Sequence, residues 1–178
     1  MTAEVGDWRR RRQRTIRAVT DMLTLVTHLP EVAFDRGDVV INEGGEAGGL
    51  WVLVSGKLLV RKGDVPVNTI DRPGAVIGEI SLLLGHAHGA TIEAMEPTRA
   101  RYARDGGSLL LGNPEITRLI AVGLAERLNF VTAYLADLKH QYGDAPGLSM
   151  VDSVLTRLAQ RQGAPARSGS ARDPDPEY

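Results

Sequence analysis

The residues able to do chemistry concentrate in one stretch, Asp71-Arg-Pro-Gly-Ala-Val-Ile-Gly-Glu-Ile-Ser-Leu-Leu-Leu-Gly-His-Ala-His-Gly-Ala-Thr-Ile92. It reads as a strand end, the pair Gly78-Glu79, one helical turn of apolar residues, a glycine break, and a small-residue return into a strand. A helix start that faces a cavity offers unpaired backbone N–H groups to an anion. Glu79 cannot favour such an anion itself, but as an acceptor it suits neighbouring hydroxyls, such as those of a ribose. Gly89 and Ala90 are small enough to let backbone amides approach a ligand closely. The same stretch holds His86-Ala87-His88 and then Glu93, an H-x-H-x4-E pattern. On a strand, alternate residues share a face, so two imidazoles and a carboxylate so placed could grip zinc, iron or manganese. The plainer alternative is two exposed loop histidines. With no cysteine, disulfides, thiolate metal sites and cysteine nucleophiles are excluded. Neither G-x-S-x-G nor a P-loop is present, and enzymatic activity is not expected.

The whole chain frames this stretch as part of an ordinary soluble domain. It has 178 residues, 43% apolar and 24% charged, which is the usual globular balance. Lys plus Arg is 21 against 22 Asp plus Glu, a net charge of -1, so bulk charge argues for no nucleic-acid partner. Twenty residues are glycine, above the usual ~7%, which points to many turns. Aromatics are only 4%, so Leu, Val, Ile and Ala must build the core. No window is expected to supply the ~18 apolar residues of a membrane span. The start, MTAEVGDWRRRRQR, is basic but has no apolar run behind it, unlike a secretory signal. A soluble, cytoplasmic protein is expected.

Four segments must position the site. The first opens on Arg9, Arg10, Arg11, Arg12, Arg14 and Arg17. Ile16, Val19, Leu23 and Val26 follow at helical spacing, and Leu29-Pro30 ends the helix. The second, from 34 to 104, reads as short strands: Val39–Ile41, Leu50–Val54, Leu58–Val60, Thr91–Ala94 and Arg99–Ala103, with glycines between them. Such spacing predicts an antiparallel sandwich or barrel, with a tight hairpin at Ser55-Gly56. The third is a helix from Asn113 to Tyr142, with Asn113 as N-cap, Pro114 at the first helical position and Glu115 in the first turn. Leu124, Leu128, Val131, Leu135, Leu138 and Tyr142 form a 3-4 seam that suits pairing with another helix. A helix laid on its own domain's sheet is the competing reading, but Ile116, Leu119 and Ile120 already offer an inward face nearer the start, which favours pairing for the seam. Gly143 is a natural stop. Val151, Val154, Leu155 and Leu158 predict a last short helix within Leu148–Gln160, and the Pro- and Ser-rich tail 161–178 reads as disordered. The domains are therefore a basic arm and helix start over 1–18, a β body with its C-terminal helix over 19–142, a short helix over 143–160, and the tail over 161–178.

Three ordered pieces, Arg36-Gly37-Asp38-Val39-Val40-Ile41, Glu43-Gly44 and Val54-Ser55-Gly56-Lys57-Leu58-Leu59-Val60, resemble the cyclic nucleotide-binding domain family. They are followed by Gly78-Glu79-Ile80-Ser81-Leu82-Leu83-Leu84-Gly85 and His88-Gly89-Ala90-Thr91-Ile92, which resemble its phosphate-binding cassette. The resemblance spans roughly residues 20–142 and implies a mainly β fold, an antiparallel double-stranded β-helix or jelly roll, with a short N-terminal and a long C-terminal helix. It also implies that Glu79 accepts from the ribose 2′-hydroxyl. Amides near Gly78, Ile80, Ser81, Gly89 and Ala90 would line the phosphate pocket. The implied ligand is cyclic AMP or cyclic GMP, with no cofactor.

His88 departs from the pattern, because the family's binders usually place an arginine there. Arginine is always charged and presents a fork of donors, whereas histidine is mostly neutral near pH 7. Losing a charge-assisted bond to phosphate costs about 1.5–3 kcal/mol, roughly ten- to a hundredfold in affinity. Three readings follow: weak or pH-dependent cyclic nucleotide binding, a pocket retuned to another small anion, or a degenerate scaffold for protein contacts. The H-x-H-x4-E pattern of His86, His88 and Glu93 resembles the first metal motif of cupins, yet that motif's flanking glycines are Ile80 and Ala100 here. The one downstream histidine, His140, lies on the long helix. A homodimer through 116–142 is expected, with an unidentified protein partner and no membrane. Transcription factors with this kind of domain carry a helix-turn-helix domain after the long helix, but only 36 residues follow Tyr142, so no such domain, and hence no DNA partner, is expected. The arginine cluster reads as a solvated arm, with contact to nucleic acid or an acidic partner as the alternative. Ligand in the cassette would shift the long helix.

Overall fold

The computed structural model describes residues 22–142 and 153–158. The arginine cluster, Ile16, Val19, Gly143 and the tail lie outside these. The described residues fall into two compact units that divide between Gly123 and Leu124.

In the first unit, a helical turn over 22–25 buries Met22 and, just beyond it, Val26. Eight strands follow: β1 (Glu31–Phe34), β2 (Val39–Ile41), β3 (Leu50–Ser55), β4 (Leu58–Lys62), β5 (Val65–Ile70), β6 (Val76–Ile77), and, after helix α1 (Glu79–Leu84), β7 (Thr91–Ala94) and β8 (Thr98–Ala103). Helices α2 (Gly106–Gly112) and α3 (Pro114–Tyr142) close the described main segment. The strands form two antiparallel sheets of four, in the orders β1-β8-β3-β6 and β2-β7-β4-β5. This is the expected jelly roll with flanking helices.

Both sheets contribute to one core. Leu53 and Ile77 from the first meet Ile41, Leu58, Ile92 and Ala94 from the second, with Trp51, Val60 and Ala75 packed against them. Leu53, Leu58 and Ile77 are at most 1% exposed, and each such side chain contributes about 1.5–3 kcal/mol by leaving water. Trp51 and Tyr102, register partners on β3 and β8, stack with ring centroids 4.8 Å apart. The pair adds an aromatic contact to a chain that has few.

Two expectations need correction here. Ser55-Gly56 is not a hairpin, because β3 pairs with β6 and β8 whereas β4 pairs with β5 and β7. The chain changes sheets at Gly56, whose φ is +101°. A Cβ there would lie 2.6 Å from the Thr98 Cα and 2.8 Å from the Pro97 carbonyl. Close backbone approach, not a two-residue turn, is what demands glycine.

The second correction concerns α3, which over Pro114–Gln141 is 28 residues long and apolar enough to cross a membrane by length and composition. Glu126 and Arg127 interrupt its middle. The start of α3 packs inward as expected, with Ile116 fully buried and Ile120 at 5% exposure. Asn113 occupies the expected N-cap position, its carbonyl accepting from the Thr117 amide at 3.2 Å. It is also the C-cap residue of α2, and its side-chain amide donates to the Leu109 carbonyl at 3.0 Å.

The second unit contains the rest of α3 and a helix over 153–158. On the seam, Leu128 and Val131 are 46% and 47% exposed, while Leu124, Leu135 and Leu138 are half-buried.

Candidate functional site

Strand β6 delivers the chain into the cassette. Val76 and Ile77 are buried, and Gly78 then turns into the left-handed region at φ +92° to start α1. A Cβ on Gly78 would sit 2.9 Å from the Gly49 carbonyl, so the β2–β3 loop lies directly against the cassette entry. Helix α1 is a turn and a half long. It buries Glu79 at 4% exposure and Ser81 at 5%, and leaves Ile80 47% exposed. Gly85 stops it, and the amides of Gly85 and His86 both donate to the Ser81 carbonyl.

The return from α1 to β7 is stitched to the β2–β3 loop. Gly44 N–H donates to the His88 carbonyl at 2.7 Å, and His88 N–H donates to the Gly45 carbonyl at 2.9 Å. Glu43 N–H donates to the Thr91 hydroxyl at 3.1 Å. Gly89 and Ala90 lie between these anchors, Gly89 exposed and Ala90 half-buried. Thus Gly78, Glu79, Ile80 and Ser81 stand at one end of the cassette, and His88, Gly89 and Ala90 form its return.

His88 is 8% exposed. Burial holds its imidazole below the ordinary value of 6.5, opposed by a bond to the Glu46 backbone and reinforced by the nearby His86. The ring is therefore neutral at pH 7. His86 Nδ1 lies 2.7 Å from the Ala87 carbonyl, and Glu93 pairs instead with Arg61 at 2.9 Å. Among the described residues no three histidine or carboxylate groups come together to hold a metal. The trio His86, His88 and Glu93 is not assembled.

Sequence reasoning did not point to Lys62, the last residue of β4. Its Nζ donates to the Gly89 carbonyl at 2.7 Å and lies 3.2 Å from Glu43 Oε1. Glu43 Oε2 accepts the Gly63 N–H at 2.8 Å. These two bonds, the Gly63 amide first and the Lys62 ammonium second, hold the Glu43 carboxyl below its ordinary range. Period-two counting along β4 was the available signal, since Leu58, Val60 and Lys62 share a face.

This architecture, two four-stranded antiparallel sheets with a short helix between β6 and β7, is that of a β jelly roll. Residues 31–104 match the profile of the cyclic nucleotide-binding domain family and belong to it. The chain is similar to the CRP-like cAMP-activated global transcriptional regulator of Mycobacterium tuberculosis, with 32% identity over 145 residues. That match covers 78% of this chain and 63% of the relative, so the chain spans less than two thirds of the curated relatives' length. Among solved structures, the Catabolite Activator Protein of Thermus thermophilus has TM-score 0.53 and 22% identity, over 81% of this chain and 84% of that one. A structure described as "A cyclic-GMP-dependent signalling pathway regulates bacterial phytopathogenesis" has TM-score 0.53 and 20% identity, over 61% of this chain and 93% of that one. These two likenesses concern the fold.

Proposed function

We propose that the chain is a regulatory module that binds a cyclic nucleotide in the cassette, with affinity weakened by His88. The observation that carries the reading is a buried carboxylate, Glu79, at the head of α1 in a domain of this family. Glu79 accepts from the ribose 2′-hydroxyl, and the amides at Gly78, Ile80, Ser81, Gly89 and Ala90 receive the cyclic phosphate. The relative from Mycobacterium tuberculosis is described as cAMP-activated, which supports cyclic AMP or cyclic GMP as the ligand class. The module is a cytoplasmic binding protein, not an enzyme, and acts as a homodimer through the seam of α3.

Calorimetric titration of cyclic AMP and cyclic GMP into wild type and His88→Arg, at pH 6 and pH 8, tests the reading. The arginine variant binds roughly ten- to a hundredfold more tightly, because it restores a charge-assisted bond. Wild type gains affinity from pH 8 to pH 6, since a bound anion favours the imidazolium. If neither protein binds in the millimolar range, the sensor reading fails and a scaffold for protein contacts replaces it.

A further inference from the structure

Three separate segments meet at the Gly89 carbonyl: the β2–β3 loop through Glu43, the end of β4 through Lys62, and the cassette return itself. The Lys62 side chain is 66% exposed and Glu43 35%. Their ion pair is therefore solvated, contributes little by itself, and exchanges partners readily. An ammonium has three donors and no fixed plane. It can keep the Gly89 carbonyl while trading the Glu43 carboxylate for another oxyanion. Its neighbour Arg61 is already engaged by Glu93 at 2.9 Å, and His88 is buried with its ring beside the Glu46 backbone. Among the described residues, Lys62 is a cation whose side chain is bonded directly to the return, at the Gly89 carbonyl.

We propose that Lys62 supplies the positive charge met by the ligand's phosphate at the cassette return, and that Glu43 tunes it by competing for the same ammonium. The inference rests on the reading of the cassette as a cyclic nucleotide site. It moves the phosphate's counter-charge from the return strand to the end of β4.

Titrations of cyclic AMP and cyclic GMP into the wild-type chain, Lys62→Gln, Lys62→Arg and Glu43→Gln, each at low and high salt, test it. Lys62→Gln loses roughly ten- to a hundredfold in affinity, the loss expected for one charge-assisted bond, and its binding is less salt-sensitive than wild type. Lys62→Arg keeps most of the affinity, and Glu43→Gln binds several-fold more tightly (about the effect of removing one nearby like charge). Thermal unfolding of each variant checks folding. Wild-type affinity in Lys62→Gln overturns the role of Lys62 while leaving the cassette reading intact. Weakening in Glu43→Gln equal to that in Lys62→Gln also overturns it, because the pair is then only a brace. Binding by none of the four proteins overturns both readings together.

Discussion

His88 combines two demands that an arginine at the same place would keep apart. Its backbone ties the cassette return to Gly44 and Gly45, and its ring is packed at 8% exposure. A buried imidazole resists protonation, which is why its pKa lies below the ordinary 6.5. The consequence for stability has a definite sign. In the unfolded chain His88 takes up a proton as pH falls through about 6.5, while in the folded protein it does so only at lower pH. Between those two values the unfolded state binds more protons, so stability falls as pH falls. Thermal unfolding at pH 7 and pH 5 should show a lower Tm at pH 5, and His88→Gln should lose less Tm over that interval. Equal pH dependence in the two proteins would show that another group is responsible. The residues of the candidate site were legible from their types, as with Gly78-Glu79 and His88. Lys62 was not, because sharing a face of β4 with Leu58 and Val60 does not reveal its partners, Glu43 and Gly89, which are distant in sequence.

Elements show the same division. Strand β7 lies at Thr91–Ala94 as the sequence predicts, because the polar Thr91 and Glu93 alternate with the buried Ile92 and Ala94. Strand β5 carries Pro66 and is almost wholly exposed, so neither propensity nor burial pattern marks it. It is an edge strand of its sheet, where a proline is tolerated. Strand β6 is two residues long, too short for any period. Helix α2 is hidden by its own composition, GGSLLLG. It forms because the Asp105 side chain accepts from the Ser108 amide at 2.9 Å and its hydroxyl at 2.6 Å. Gly56 is the sharpest case, since a turn glycine and a close-approach glycine read identically in sequence. The two differ in what alanine does. Positive φ alone costs a non-glycine residue about 1–2 kcal/mol, and overpacking a tight contact typically adds 1–3 kcal/mol. Thr98 is 1% exposed and its hydroxyl donates to the Glu96 carbonyl at 2.8 Å, so the obstacle below Gly56 is held in place. Gly56→Ala should therefore lose about 2–5 kcal/mol in urea unfolding. A loss under about 1 kcal/mol would mean that the crossover relaxes freely.

At the scale of the whole molecule, α3 is the feature that ordinary single-domain logic leaves unexplained. Its later half presents Leu128 at 46%, Phe130 at 72%, Val131 at 47% and Tyr134 at 57% exposure, more apolar surface than an isolated helix keeps in water. Two environments could cover it. A bilayer fits the length, but a central arginine costs about 2.5–3.5 kcal/mol there, and Arg127 and Glu126 are mid-helix. A second copy of the helix fits the 3-4 spacing of Leu124, Leu128, Val131, Leu135 and Leu138 and leaves both charges in water. Each seam side chain buried in that way contributes about 1.5–3 kcal/mol, and symmetry counts it twice. Replacing Leu128 and Val131 by Asp should therefore convert a dimer into a monomer at micromolar concentration, with the unfolding of β1–β8 unchanged. Sedimentation equilibrium reads this directly. A wild type that sediments as a monomer would remove the pairing, and one that stays in solution only with detergent would turn the helix toward the membrane instead.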